Sequence, residues 1–249
     1  MQYKKRFIAI ACEILFREVC FCVSKSKQIV DIVFQKKSLH DIGEAQMSKT
    51  LQNAINQIDH GKYDAILLCY GLCNNGVKNL HAPIPLVVPR AHDCITLLMG
   101  SKEKYAGYFA NNPGAYYHSS GWLERNANPN ETEGSVMQQL GIDRTYAEYA
   151  DEYGEENAEY LMSMLGNWLV NYSKVTFINN GIGDVKNNRE KSRSHAQDNN
   201  WDFEEIEGNI SLIERLVDGE WDEADFLVIP PNNKIEPSND AKIVAYSPL

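Results

Sequence analysis

The chain has 249 residues, 43% of them hydrophobic and 23% charged, with a formal net charge of -10. That length supports a sizeable core, in one domain or two small ones. The acidic balance makes free nucleic acid and anionic membrane poor partners, and no apolar run reaches the ~20 residues that span a bilayer.

The basic start, Lys4-Lys5-Arg6, leads into an apolar stretch broken by Glu13, Arg17 and Glu18. This reads as a first strand and helix, not a signal peptide. A cytoplasmic location is expected, where cysteines stay reduced and serve metals or catalysis. Strands are predicted over 6–11, 29–34 and 65–68, with helices over 12–24 and 46–59 between them. Met47, Leu51, Ala54, Ile55 and Ile58 give the second helix one apolar face. The run Ala65-Ile66-Leu67-Leu68 is continuously apolar, as in a strand covered on both faces. Another strand, Pro85-Leu86-Val87-Val88-Pro89, precedes a short helix from Cys94.

A mostly helical stretch follows, with helices predicted over 102–110, 135–149 and 155–172. Between the first two, residues 113–122 form a segment rich in aromatic and hydroxyl groups. The acidic cluster over 148–159 reads as a solvated helix face. The opening phrase then returns as strand 174–178, helix 184–199, strand 201–206, helix 209–217 and strand 226–229. Lys62-Tyr63-Asp64 before one buried strand and Trp221-Asp222 before another have the same grammar, which reads as a duplication. The expected fold is α/β: two Rossmann-like β-α-β-α-β halves with mainly parallel sheet and a helical insert. The first half covers residues 1–101 and carries the cysteines, the insert covers 102–172, and the second half covers 173–249.

Three cysteines follow strand ends. Cys12 follows the first strand, Cys73 the third and Cys94 the fourth. Ligands bind at the carboxyl rim of a parallel sheet, so neighbouring strands would bring these thiols together. Cys12, Cys73 and Cys94 are the expected metal ligands, with His92 the first candidate for a fourth position and Cys69 the second. Zinc takes three or four such ligands and leaves a position open when catalytic. A [4Fe–4S] cluster held by three thiolates would likewise keep one iron open. Zinc or a [4Fe–4S] cluster is therefore the expected cofactor. Cys20 and Cys22 continue the first helix and read as small buried hydrophobes.

Arg90 lies just past a strand and is a candidate clamp for an anion, or an ion-pair partner of Asp93 or Glu13. Asp93 reads as a helix cap or as a partner of His92. His118, with Tyr117, is a candidate acid or base. The expected ligand is a small, anionic molecule.

Four segments together resemble the DUF1638 family of unknown function. They are Cys69-Tyr-Gly-Leu-Cys73-Asn-Asn-Gly, Pro89-Arg-Ala-His-Asp-Cys94-Ile-Thr-Leu-Leu-Met-Gly-Ser101, Pro113-Gly-Ala-Tyr-Tyr117 and Tyr153-Gly-Glu-Glu-Asn-Ala-Glu-Tyr-Leu161. Ala115 and Met99 depart from the family pattern, away from the proposed ligands. The resemblance implies no established reaction; it points toward corrinoid-dependent methyl transfer. Two function classes are expected from the chain: a metal- or iron–sulfur-dependent enzyme, or a metal or cofactor carrier or redox sensor.

Overall fold

The computed structural model describes residues 4–40, 43–125, 150, 151, 154, 155, 157 and 172–249. Its centre is a five-stranded sheet in the order β2-β1-β3-β4-β8. The strands are β1 (Arg6–Cys12), β2 (Ile29–Gln35), β3 (Ala65–Cys69), β4 (Leu86–Pro89) and β8 (Phe226–Ile229). The first four run parallel, with Phe7 opposite Ala65 and Ile66 opposite Leu86. β8 closes the far edge antiparallel, with Leu86 opposite Ile229.

Side chains alternate across a strand, and the two faces of this sheet carry separate cores. One face collects Ile8, Ile10, Cys12, Ile66, Leu68 and Tyr70 against Met47, Leu51 and Ile55. The latter three belong to α2 (Glu44–Asn56) and line its apolar stripe. The other face collects Phe7, Ala9, Ala11, Leu67 and Cys69. It is covered by α1 (Phe16–Lys25), α3 (Cys94–Met99) and α7 (Ser211–Asp218). Leu212, Ile213, Leu216 and Val217 of α7 are all buried. Each contributes about 1.5–3 kcal/mol, so apolar burial outweighs the partly exposed Arg215–Asp222 pair, worth about 0–1 kcal/mol.

A second sheet stands beside the first. It is parallel, in the order β5-β6-β7. Its strands are β5 (Ala115–His118), β6 (Lys174–Asn179) and β7 (Asp202–Glu207). α4 (Lys102–Asn111) leads into it, α5 (Ser120–Glu124) follows β5, and α6 (Val185–Asp198) links β6 to β7. A hairpin of β9 (Asn233–Pro237) and β10 (Val244–Pro248) completes the described chain.

The fold is therefore mixed α/β with a mainly parallel central sheet. Two Rossmann-like halves are not confirmed. The C-terminal phrase has its expected strands and helices, but β6 and β7 pair with β5, while the third strand crosses over to β4. The physical reason is burial: Phe226, Leu227 and Ile229 are covered only against the first sheet's two cores. The helix expected over 135–149 lies outside the described residues, as does nearly all of that expected over 155–172. Among the described residues no helix is long and apolar enough to cross a membrane.

Candidate active site at the thiol rim

The three thiols are positioned by three separate strand ends. Cys12 is the last residue of β1 and the cap of a short 3-10 turn over Glu13–Leu15. Cys73 and Cys94 are set by two rim loops pinned together through their main chains. Leu72 N–H donates to Ala91 O at 2.7 Å, and Cys73 N–H donates to His92 O at 2.8 Å. Gly71 permits this approach: a Cβ there would stand 2.5 Å from Asp93 N and 2.8 Å from Ala91 O. Cys73, Asn74 and Asn75 then run left-handed, with φ of 47°, 54° and 64°. Asparagine tolerates that region, whereas a cysteine there is strained and held by its surroundings.

Cys94 begins α3. Asp93 Oδ1 caps that helix, accepting from Ile95 N–H at 3.0 Å and Thr96 N–H at 3.3 Å. Its Oδ2 accepts from Tyr105 Oη at 2.9 Å. Asp93 is thus a cap held by a tyrosine.

Cys12 and Cys73 belong to one core face, and Cys94 packs against it. Burial pushes the Cys12 thiol up to about 12, and the Ile14 N–H and the Lys37 ammonium pull in the opposite direction. Burial also raises Cys73, followed by the charges of Cys12 and Asp93, while the N–H groups of Gly71 and Cys94 stabilise its thiolate. Cys94 is raised by burial, then by Asp93, Cys73 and Cys12. The charge of Cys12 thus acts on Cys73, and those of Cys12 and Cys73 act on Cys94. Tyr70 is fully buried beside them; its Oη has no hydrogen-bond partner among the described residues. Burial, then Cys12 and Cys73, holds that phenol protonated.

Neither candidate for a fourth position joins this group. Cys69 lies on the opposite face of the sheet, because it shares the strand parity of Leu67 and not that of Cys12. The His92 side chain is exposed, and its carbonyl, not its ring, ties the loops. Among the described residues, no three Cys, His, Asp or Glu side chains are gathered tightly enough to hold a single metal ion.

Arg90 is engaged elsewhere. Its Nε donates to Glu223 O at 2.9 Å, and its Nη1 to Lys242 O at 2.9 Å and Val244 O at 2.6 Å. It fastens β4 to the segments flanking β8 and β10 and borders a different cavity, shared with Trp221 and Tyr246. Among the described residues, a cation that does act on a rim thiol, that of Cys12, is Lys37, just past β2, lying 5.3 Å from the centre of the Trp122 ring.

A cavity of about 200 Å³ opens beside Cys94. Ile14, Ile95 and Leu98 form one side, and Tyr117, His118 and Trp122 the other. The carboxyl ends of β1 and β5 therefore meet around one space, with the start of α3. His118 lines it, yet both its ring nitrogens are already used. Nδ1 lies 3.0 Å from Ser192 Oγ, which donates to Asn188 O. Nε2 lies 3.2 Å from Nδ1 of His195, and the two rings stack at 7°. Because the Ser192 hydrogen is committed, His118 Nδ1 is the donor in that bond. Burial, then His195, lowers the His118 pKa to about 4. This ring locks β5 onto α6 in its neutral form.

Sequence reasoning missed Lys37, Tyr70, Trp122, Ser192 and His195. Lys37 obeys the strand-end rule that singled out the cysteines. Ser192 and His195 carry no local signal, since only the β5-β6-β7 pairing brings α6 to His118.

Comparison with curated proteins found no match, and comparison with solved structures found none. A family model described as "Protein of unknown function (DUF1638)" matches residues 34–217, so the chain belongs to the DUF1638 family.

Proposed function

We propose that Cys12, Cys73 and Cys94 hold a [4Fe–4S] cluster through three thiolates, and that the protein is an enzyme acting on a small molecule in the adjoining cavity. The observation that carries this reading is that Cys12 and Cys73, both buried, and the half-buried Cys94 follow three adjacent strand ends, with the charge of Cys12 acting on Cys73 and those of both acting on Cys94. Nucleophilic cysteines have depressed pKa values, whereas these are raised. As bare thiols they are inert at neutral pH. Metal coordination deprotonates a thiol outright, and the N–H groups aimed at Cys12 and Cys73 suit the resulting thiolates.

The donor set supports a cluster over a single ion. Tetrahedral zinc with bonds of about 2.3 Å needs sulfurs about 3.8 Å apart, and among the described residues no three Cys, His, Asp or Glu side chains form such a single-ion site. The thiolates of a cubane bind separate irons and stand further apart. An open fourth corner accords with the absence of Cys69 and His92 from the group. The anionic character expected of the ligand draws no support from Arg90, whose donors are occupied by main-chain carbonyls.

The test is iron, zinc and acid-labile sulfide analysis of anaerobically prepared protein, with absorption and electron paramagnetic resonance spectra. About four irons and four sulfides per chain are expected. Cys12→Ser, Cys73→Ser and Cys94→Ser should each lose most of the cluster, and Cys20→Ser should keep it. One zinc per chain would replace the cluster with a single-ion site. No bound metal after reconstitution would overturn the reading.

A further inference from the structure

We propose that the outer edge of β2 pairs antiparallel with the β2 of a second copy, across a two-fold axis at Ile32. Two five-stranded sheets then become one continuous sheet. The inference is independent of the thiol rim.

β2 is an edge strand, with β1 on one side only. Ile29 N–H donates to Lys5 O at 3.0 Å. The residues of odd number therefore turn their main chain toward β1, in the register that sets Arg6 opposite Ile29. Val30, Ile32 and Phe34 turn theirs to the open edge. Among the described residues nothing hydrogen-bonds to these main-chain groups. Long edges are ordinarily blunted by lysine, proline or a bulge. β2 has none of these: it reads Ile29-Val-Asp-Ile-Val-Phe-Gln35, and its register with β1 is unbroken. Its one charge, Asp31, is drawn back over its own sheet. Tyr63 Oη holds it at 2.7 Å, Lys62 Nζ at 3.0 Å and Arg6 Nη2 at 3.3 Å.

The pattern is complementary to itself, which makes a second copy the occupant. With the axis at Ile32, Ile32 meets its own counterpart, Val30 meets Phe34 and Ile29 meets Gln35. Each outward residue then faces another outward residue, and each such pair exchanges two hydrogen bonds. The side chains of Val30, Ile32 and Phe34 share one face, where they already pack against the core beneath α1, and there they meet their counterparts. On the other face Ile29 and Val33 are 44% and 38% exposed, and pairing covers them. Val33 stands opposite Asp31 of the second copy. An axis at Asp31 would oppose two carboxylates. An axis at Val33 would leave Val30 facing chain beyond the strand. Charge agrees with the Ile32 axis. It sets the exposed Lys36 of one copy opposite Gln28 of the other. Gln28 Nε2 donates to Asp218 O at 3.2 Å, and Glu220 lies 3.3 Å from Lys27 Nζ. Lys36 thus approaches an acidic end.

The experiment combines sedimentation equilibrium over a concentration series with residue-resolved amide hydrogen exchange. The parent should approach twice the chain mass by ~100 μM. The amides of Val30, Ile32 and Phe34 should exchange quickly when dilute and slowly when concentrated. Those of Asp31 and Val33, turned toward β1, should stay protected throughout. Val33→Asp sets a carboxylate opposite Asp31 of the second copy and should weaken association by ~10-fold or more. Val33→Lys places the opposite charge at the same exposed position and should associate at least ~10-fold more tightly than Val33→Asp. A parent that stays monomeric at millimolar concentration would overturn the proposal. So would a dimer whose Val30, Ile32 and Phe34 amides remain unprotected, or equal effects of the two Val33 variants.

Discussion

At the scale of the residue, Arg90 shows how one side chain decides between two roles. A guanidinium past a strand end suits an anion clamp, but here it bonds three main-chain carbonyls and is nearly buried. Hydrogen bonds to a charged group contribute about 1.5–3 kcal/mol each and are not additive. Arg90→Ala should therefore lower the unfolding free energy by about 2–4 kcal/mol in urea titrations. It should leave metal content per folded chain unchanged. A folded, fully stable Arg90→Ala protein that loses its metal would return Arg90 to the site. Nothing in Pro89-Arg90-Ala91 distinguishes the two roles, because the acceptors come from residues 223, 242 and 244.

At the scale of the element, the apposition of two rim loops matters as much as the thiols they carry. Gly71→Ala touches no cysteine, yet its Cβ meets the main chain of residues 91 and 93. The main chain cannot swing aside as a flexible side chain does. The loops should part, the Leu72 and Cys73 hydrogen bonds should lengthen, and stability should fall by about 1–3 kcal/mol. Metal content should drop along with it, measured per folded chain by mass spectrometry under native conditions. Retention of full metal content would show that the loop contact does not set the thiol positions. Much at this scale was legible in the chain. Apolar runs such as Ala65-Ile66-Leu67-Leu68 became buried strands, and Cys12, Cys73 and Cys94 follow the carboxyl ends of three adjacent parallel strands. Cys69 was separable from them by strand parity alone. The direction of β8 was not legible, because a buried four-residue run reads the same in either direction, and its partner lies far away in sequence.

At the scale of the whole molecule, two buried titratable groups shape stability against pH. Glu18 is buried in α1; burial raises its pKa from 4.5 to about 7, while Asn180 approaches without completing a hydrogen bond. The unfolded chain loses that proton near 4.5, so rising pH between there and about 7 favours unfolding, by about 3 kcal/mol in full. His118 acts the other way. Its folded ring resists protonation down to about 4, against an ordinary 6.5, so falling pH across that window favours unfolding by a similar amount. The two slopes oppose between about 4.5 and 6.5, and their sum is nearly flat there. Glu18→Gln removes one of them. Urea titrations from pH 4 to 8 should show this variant more stable than the parent at pH 8, by up to about 3 kcal/mol. The two proteins should converge near pH 4.5, and the variant should show a steady loss below pH 6.5. A variant curve parallel to that of the parent would remove Glu18 from the balance.

The antiparallel closure by β8 also has a consequence in time. β4 ends at Pro89 and its partner begins at Phe226. A ribosome adding 5–20 residues per second takes roughly 7–27 s to make the intervening chain. Throughout that interval the outer backbone edge of β4 stands without its partner, beside an incomplete apolar face. The nascent chain is therefore a candidate for strand pairing with its neighbours on a polysome. Chaperone occupancy during synthesis should fall when residues 226–229 leave the exit tunnel.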